Sequence, residues 1–167
     1  MSRPHSSPEP WIVRRGSPAD HATVVDFNRA LARETEGRDL DPARVSPGVA
    51  AALSDPGKGL YWLADAAGAV VGQLMVTLEW SDWRNGWFWW LQSVYVAPAW
   101  RGRGVFRSLA TAVEKEARSR SDVCGLRLYM EPHNHRARAA YTRLGWQPAG
   151  YELLEIDFTR APAPAAS

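Results

Sequence analysis

The sequence predicts a single domain of the α+β or α/β class, with one mixed, mostly antiparallel central sheet flanked by helices. Three consecutive strand-like segments, Leu60–Asp65, Val70–Glu79 and Trp87–Val96, are joined by short turns, and the second turn carries the strong hairpin signal Asn85-Gly86. Helical patterns precede and follow these segments. With 167 residues, of which 46% are hydrophobic, the chain is long enough to bury one core.

The composition excludes several classes of protein. Residues 1–10 and 161–167 are rich in proline, serine or alanine, so we expect disordered termini around a single domain at 11–160. Residues 1–10 lack a signal-peptide core, and no apolar run approaches the ~20 residues of a membrane span, so we expect a cytoplasmic protein without membrane contact. Cys124 is the one cysteine, which leaves no disulfide framework. A net charge of +2 does not predict a nucleic-acid partner.

The first third of the chain is predicted to form a strand and two helices. A short strand at Trp11–Arg15 precedes Ser17, which is placed to cap a helix running to about Thr35. A second short helix covers Ser46–Leu53. The intervening residues 34–41 are rich in acids and have no periodicity, and we read them either as a solvated loop or as a rim that attracts a cationic substrate.

The second half alternates between strands and helices. The segment Trp87–Val96 is apolar at nearly every position, as in a strand covered on both faces, and is therefore predicted to be the centre of the sheet. An amphipathic helix ending near Arg120 follows, and then a strand at Gly125–Met130. Asn134 is placed to cap a fourth helix, and Tyr151–Phe158 is predicted to be the final strand.

A glycine turn links the predicted central strand to the helix that follows it. The turn reads Arg101-Gly102-Arg103-Gly104, and a helix start beside positive side chains is a common phosphate-binding arrangement. It is no dinucleotide motif, because Arg107 stands where G-x-G-x-x-G needs its third glycine. A Walker loop is excluded as well, since Gly57-Lys58 is followed by Gly59. A plain strand-to-helix turn that uses glycine for its backbone freedom is the structural alternative.

Two stretches resemble signatures of the GCN5-related N-acetyltransferase (GNAT) superfamily. The first, Val94-Tyr95-Val96-x-Pro98-x-x-Arg101-Gly102-Arg103-Gly104-Val105, resembles the acyl-CoA motif Q/R-x-x-G-x-G/A, with Phe106 in place of the last small residue. The second, Asn134-x-Arg136-Ala137-x-x-x-Tyr141-x-x-Leu144-Gly145-Trp146, resembles N-x-x-A-x-x-x-Y-x-x-x-G-F, with Trp146 for the usual phenylalanine. Their order and the pattern of elements from Trp11 to Phe158 also match the family.

The resemblance implies the acyl-CoA N-acyltransferase (GNAT) fold and its chemistry. The expected reaction transfers an acetyl group from acetyl-CoA, a cosubstrate, to a primary amine of a small molecule or protein, by direct attack in a ternary complex. It also implies that the pyrophosphate is held by a run of residues at the glycine turn: Arg101, Gly102, Arg103, Gly104, Val105, Phe106 and Arg107. The pantetheine arm would pair with the strand edge formed by Val94, Tyr95 and Val96. Asn134 would contact the cofactor arm, and Tyr141 would protonate the leaving thiolate.

The residue that takes the proton from the amine is less evident. Many relatives carry an acid on the central strand, but residues 89–93 contain none. We predict Glu79 for this role, because a strand end can aim at the cleft through a water molecule. The other candidates are Asp82, Glu131, Glu34 and Glu36, and a relay from Ser93 through water would need no acid directly.

Three features that suggest other chemistry are predicted to be structural. His133 and His135 stand two residues apart without a third ligand, so no metal is expected. Cys124 has no histidine nearby in sequence and is not expected to carry an acyl group. The five tryptophans between Trp80 and Trp90 favour sheet core and, where exposed, a homodimer surface, with an aromatic cage for an ammonium substrate as the alternative.

A different class of function is also compatible with these signatures. A non-catalytic acyl-CoA sensor or interaction module would keep the same fold, and the missing strand acid favours it. Tyr141 favours the enzyme. A nucleic-acid-binding domain built on Arg101, Arg103 and Arg107 is disfavoured by the acids elsewhere and the near-neutral net charge.

Overall fold

The computed structural model describes residues 10–130 and 133–159. Within them the strands and helices follow in this order: β1 Ile12–Arg15, α1 His21–Glu36, α2 Pro42–Ser54, β2 Leu60–Ala66, β3 Ala69–Ser81, β4 Gly86–Val96, α3 Val105–Ser119, β5 Val123–Leu128 and α4 His135–Arg143. Short 3-10 turns precede α1 at Pro18–Asp20 and follow β4 at Pro98–Trp100. The chain divides after Tyr129 into two compact units, the first holding the sheet with α1 to α3 and the second holding α4.

The five strands form one sheet in the order β1-β2-β3-β4-β5. Neighbouring strands are antiparallel except β4 and β5, which are parallel. This confirms the predicted mixed, mostly antiparallel sheet. The middle strand is β3, so the prediction that Trp87–Val96 is the centre was wrong. β4 is apolar because it lies between two other strands and has helices packed on both of its faces. A strand need not be the middle one of its sheet to have this environment.

Helices cover both faces of the sheet. The buried residues of α3 include Val105, Leu109 and Val113, and a Cβ on Gly72 of β3 would lie 2.8 Å from Val105, so α3 packs directly on that face. The other face carries Tyr61 and Leu63 of β2, which form one buried cluster with α1 and α2. Side chains alternate between the two faces of a strand, which places these helices on opposite sides of the sheet.

The segment predicted as an acidic loop is a loop at residues 37–41, while residues 34–36 belong to the end of α1. Gly37 ends α1 in the left-handed conformation (φ 62°), and its N–H donates to the carbonyl groups of Ala32 and Arg33. The side chain of Asp41 accepts a hydrogen bond from the Ala43 N–H (2.9 Å), which caps α2 with Pro42 in its first turn. The second helix therefore starts earlier than the predicted Ser46, at Pro42, where Asp41 caps it.

The predicted final strand, Tyr151–Phe158, was wrong. Residues 151–157 adopt no regular secondary structure, and the side chains of Leu154 and Phe158 are 88% and 93% exposed. Apolar content predicted a strand here, but a strand forms through ladder partners, and this segment has none among the described residues. The predicted disordered ends lie outside the described residues, except for Pro10.

Candidate active site

The glycine turn after β4 leaves open space in front of a helix N-terminus. Gly102 and Gly104 have φ angles of 76° and 98°, and a Cβ on either would meet no protein atom within 4 Å. Val105 begins α3, where the first backbone N–H groups have no acceptor within the helix itself. Arg103 and Arg107 are exposed nearby and have no ion pair within the described residues. Open space, backbone donors and positive charge suit a phosphate or pyrophosphate group.

Arg101 has protein partners that the sequence did not predict. Its Nε donates to the carbonyl oxygen of Val96 (2.8 Å), and its Nη2 lies 2.7 and 3.0 Å from the two carboxylate oxygens of Glu34 on α1. The Tyr95 hydroxyl also donates to Glu34 (3.3 Å), and burial, followed by the Glu34 charge, raises the pKa of Tyr95. Arg101 thus fastens the turn to β4 and α1.

A bulge in β4 separates the strand into two parts. Gln73 and Met75 of β3 oppose Tyr95 and Gln92, so β4 holds one residue more than its partner between these pairs. Ser93 lies in the bulge with a φ of 49°, outside the strand region. Pairing between β4 and β5 ends at Leu91, so residues 92–96 have no ladder partner on that side within the described residues. An extended group with amide donors and acceptors could pair there, as predicted for the pantetheine arm at Val94, Tyr95 and Val96.

A pocket of about 300 Å³ lies between this bulge and the end of α1. Its lining is part apolar and part polar: Asn28, Leu31, Ala32, Thr35, Glu36, Arg38, Leu40 and Ser93. Ser93, the left-handed residue of the bulge, therefore lines the pocket. It directly precedes Val94, where the predicted pantetheine edge begins. A group bound in the pocket would lie beside that edge.

A buried glutamine supports the floor of this pocket. Gln73 is fully buried, and its Nε2 donates to Asn28 Oδ1 (2.7 Å) and to the Ser93 carbonyl oxygen (3.1 Å). Asn28 in turn donates to the Tyr61 hydroxyl (3.4 Å), whose pKa is raised by burial against the opposing effect of its hydrogen bonds. Gln73 Oε1 accepts no hydrogen bond within the described residues. The sequence analysis did not predict this network. The signal available in the sequence was one polar residue within each of two apolar patterns, Asn28 in α1 and Gln73 in β3.

The carboxylates around the pocket are each paired with an arginine. Glu36 lies 3.4 Å from Arg38, and Asp39 is bonded to Arg33 on α1. Asp41 lies 3.9 Å from Arg44, and Glu34 is held by Arg101 as described above. The negative rim expected of a site for cations is therefore electrically compensated by the chain itself.

The predicted base, Glu79, is held by two donors. Its Oε1 accepts from Arg127 Nη1 (2.9 Å), and its Oε2 accepts from Trp90 Nε1. The Arg127 guanidinium also stacks 3.6 Å above the Phe88 ring. Each carboxylate oxygen has a second lone pair that can accept from water, so these two bonds do not exclude a catalytic role, which stays a prediction.

The remaining base candidates differ in position. Asp82 lies in the β3–β4 turn and accepts from the Trp83 N–H (2.9 Å). Glu34 is bonded to Arg101, and Glu131 lies outside the described residues. Of the carboxylates considered, Glu36 is the one that lines the pocket, as does the alternative relay Ser93.

The tryptophan cluster is divided between core and surface. Trp89 is buried against Trp62, with ring centroids 5.8 Å apart, whereas Trp83 at the hairpin tip is 92% exposed. Trp90 faces the Arg127 guanidinium at 5.8 Å, so a cation of the chain already occupies the aromatic surface that could serve as a cage. The homodimer stays a prediction.

The second unit contains the two residues of the other signature. Asn134 Oδ1 accepts from the Ala137 N–H (3.0 Å), which confirms its predicted position as the cap of α4. Burial raises the pKa of Tyr141, which keeps the phenol protonated at neutral pH, as a proton donor must be. Its ring meets Trp146 edge-on, with centroids 5.9 Å apart.

The described residues contain no candidate metal cluster and no membrane-spanning helix. No group of three or more histidine, cysteine, aspartate or glutamate side chains suited to hold a metal was found in residues 10–130 and 133–159. Cys124 is a free, half-buried thiol. In the same part of the chain, no helix is long and apolar enough to cross a membrane.

A mixed sheet whose bulged strand leads through a glycine turn to a helix N-terminus is the arrangement expected of an acyltransferase from the sequence resemblance. Residues 24–146 match the family described as "Acetyltransferase (GNAT) family". The chain belongs to this family, which confirms the resemblance and the predicted fold. No curated protein matches.

Solved structures show the same fold. A possible acetyltransferase from Clostridium difficile 630 is 39% identical, with a TM-score of 0.83 over 88% of this chain and 97% of that one. A ribosomal-protein-alanine N-acetyltransferase from Brucella melitensis biovar Abortus 2308 is 17% identical, with a TM-score of 0.72 over 89% and 99% of the two chains. An aminoglycoside acetyltransferase from an uncultured soil metagenomic sample, solved with sisomicin, is 13% identical, with a TM-score of 0.70 over 90% and 97%. At such identities the last two show the fold alone.

Proposed function

We propose that this protein transfers an acetyl group from acetyl-CoA to a primary amine of a small molecule or protein, by direct attack in a ternary complex. The observation that carries the proposal is the β4 bulge leading into the open glycine turn at α3. It offers an extended edge for the amide-rich pantetheine arm and a phosphate site directly after it. Family membership supports acetyl-CoA as the donor.

Separate groups of residues are proposed to bind the acetyl donor and the acceptor amine. The turn at Gly102–Gly104, with Arg103 and Arg107, would hold the pyrophosphate through backbone N–H groups and charge. An N–H on the open edge of β4 would hydrogen-bond the thioester carbonyl and stabilise its developing negative charge. The pocket beside Ser93 is the place for the acceptor amine.

The chemical step exchanges one bond for another. The acceptor amine has a pKa of roughly 10 and is mostly protonated at neutral pH, so it first gives a proton through water to the general base, for which Glu79 is the predicted residue. The amine nitrogen then bonds to the thioester carbonyl carbon, the carbon–sulfur bond breaks, and the nitrogen releases its second proton to solvent, from which Tyr141 is reprotonated after the step. The leaving thiolate takes its proton from Tyr141, the residue that the family resemblance implies for this role. The products are the N-acetylated acceptor and coenzyme A.

Release of free thiol from acetyl-CoA tests the proposal. The protein is incubated with acetyl-CoA and a panel of amines, and we expect acceptor-dependent release. Tyr141→Phe should lower that rate by about 10²- to 10⁴-fold, the usual contribution of a general acid. The matched control is Tyr151→Phe, because Tyr151 is 81% exposed in the same unit and carries no proposed role.

The non-catalytic acyl-CoA sensor remains the competing function. One observation favours it: residues 89–93 contain no acid, and Glu79 is engaged by Arg127 and Trp90. Tight binding of acetyl-CoA, without thiol release for any amine in the panel, would establish the sensor and exclude the transferase.

A further inference from the structure

The mouth of the pocket beside Ser93 carries a balanced pair of charges. Glu36 and Arg38 both line the pocket, and Arg38 Nε lies 3.4 Å from Glu36 Oε2. The neighbouring carboxylates are matched in the same way, so four acids face four arginines: Glu34 with Arg101, Glu36 with Arg38, Asp39 with Arg33, and Asp41 with Arg44. A polycationic acceptor would find no surplus of negative charge here.

The interior of the pocket suits a small aliphatic body. Leu31, Ala32 and Leu40 supply an apolar wall, and Gln73 fixes the polar floor through its bonds to Asn28 and to the Ser93 carbonyl. The volume of about 300 Å³ stands at the lower end of the range for ligand sites. The acceptor that fits is therefore small, partly aliphatic and close to electrically neutral.

We propose that this pocket selects an acceptor of the amino-acid type, with an amine and a carboxylate on a small aliphatic body, and that Arg38 recognises the carboxylate. The inference rests on the proposed function, because the pocket is an acceptor site only in a transferase. The side chains of Arg38 and Glu36 are 50% and 57% exposed, and an ion pair at such exposure is weak. An incoming carboxylate can therefore replace Glu36 at the guanidinium, while the acceptor ammonium takes the place of Arg38 beside Glu36.

Two bisubstrate conjugates test this without requiring turnover. In one, the sulfur of coenzyme A is joined through a –CH2–CO– spacer to the nitrogen of leucine, and in the other to the nitrogen of 3-methylbutylamine. The conjugates differ only in the carboxylate. Their dissociation constants are measured by titration calorimetry for the wild type, Arg38→Gln, Arg38→Lys and Arg44→Gln. Arg44 is the matched control, since it pairs with Asp41 at 3.9 Å and does not line the pocket.

The wild type should bind the leucine conjugate about tenfold more tightly, the usual effect of one charge-assisted hydrogen bond at a partly exposed site. Arg38→Gln should bring the ratio close to one, Arg38→Lys should restore part of it, and Arg44→Gln should leave it unchanged. Because each variant serves as its own reference for the two conjugates, a general loss of stability cancels from the ratio.

The possible outcomes distinguish a failure of the amino-acid preference from a failure of the proposed transferase function. If both conjugates bind with equal affinity and Arg38→Gln changes neither, the amino-acid preference is wrong while the coenzyme A site stands. If a loss of the same size occurs in Arg44→Gln, the effect is one of general surface charge and Arg38 is not the recognition residue. If neither conjugate binds, the proposed function fails, and the inference fails with it.

Discussion

Replacing Gly104 by glutamate should abolish the protection that acetyl-CoA gives against thermal unfolding. At a φ of 98°, a residue with a Cβ is strained by about 1–2 kcal/mol, but the space in front of it is open to 4 Å. The new carboxylate would enter that space. At about 5 Å from one phosphate charge and an effective dielectric constant of about 20, the repulsion is about 3 kcal/mol.

The expected signal follows from linkage between ligand binding and unfolding. At a concentration of 100 times its dissociation constant, a ligand stabilises the folded state by about 2.7 kcal/mol, so a repulsion of about 3 kcal/mol removes the whole effect. For a chain of this length, that stabilisation corresponds to a rise in Tm of about 5–10 °C. The measurement is a thermal melt with and without acetyl-CoA, followed by circular dichroism.

The matched control is Gly68→Glu. Gly68 lies in the turn between β2 and β3 with a φ of 89°, and a Cβ there also meets no protein atom within 4 Å. Both variants carry the same strain and the same added charge, so they should melt at similar temperatures without ligand. The Gly68 variant should keep the acetyl-CoA shift. An undiminished shift in the Gly104 variant would show that the pyrophosphate binds elsewhere and would refute the reasoning.

Further predictions concern stability. Arg14 lowers the pKa of Asp20 from 3.8 to about 2, and Asp20 is only 9% exposed, so its ionised form contributes about 2 kcal/mol at pH 7. Because the folded-state pKa is the lower one, that stability is present above about pH 4 and is lost as the pH falls towards 2. In urea titrations Asp20→Asn should therefore differ from the wild type at pH 7 and approach it at pH 2, and a constant gap would contradict this. Gly72→Ala should destabilise by about 1–3 kcal/mol, because its Cβ would lie 2.8 Å from Val105 Cγ1 and 3.3 Å from a backbone oxygen. Gly48→Ala, inside α2 with open space around it, should instead stabilise by about 0.5–1 kcal/mol, and equal effects of the two alanines would be evidence against tight packing at Gly72.

The backbone of the glycine turn could be predicted from sequence because it depends on local geometry. A strand, a turn with two glycines and a helix start are encoded within about a dozen consecutive residues, and the φ angles of Gly102 and Gly104 show why glycine is needed there. Asn134 was predictable for the same reason, since a cap needs only its own helix. Tyr151–Phe158 shows the limit of this logic, because its apolar content is local whereas a ladder partner is not.

Several side-chain contacts around the glycine turn, the pocket and Glu79 could not be predicted, because they join residues far apart in the chain. Arg101 and Glu34 are 67 residues apart, Arg127 and Glu79 are 48 apart, and Gln73 and Asn28 are 45 apart. Residues 34–41 were read either as a solvated loop or as a rim that attracts a cation. In the structure three of their acids pair with the nearby Arg33, Arg38 and Arg44, whereas Glu34 pairs with the distant Arg101. Counting the acids of this segment without the arginines beside it therefore overstates its negative charge. Here the compensation changes the expected acceptor from a cation to a molecule with both charges.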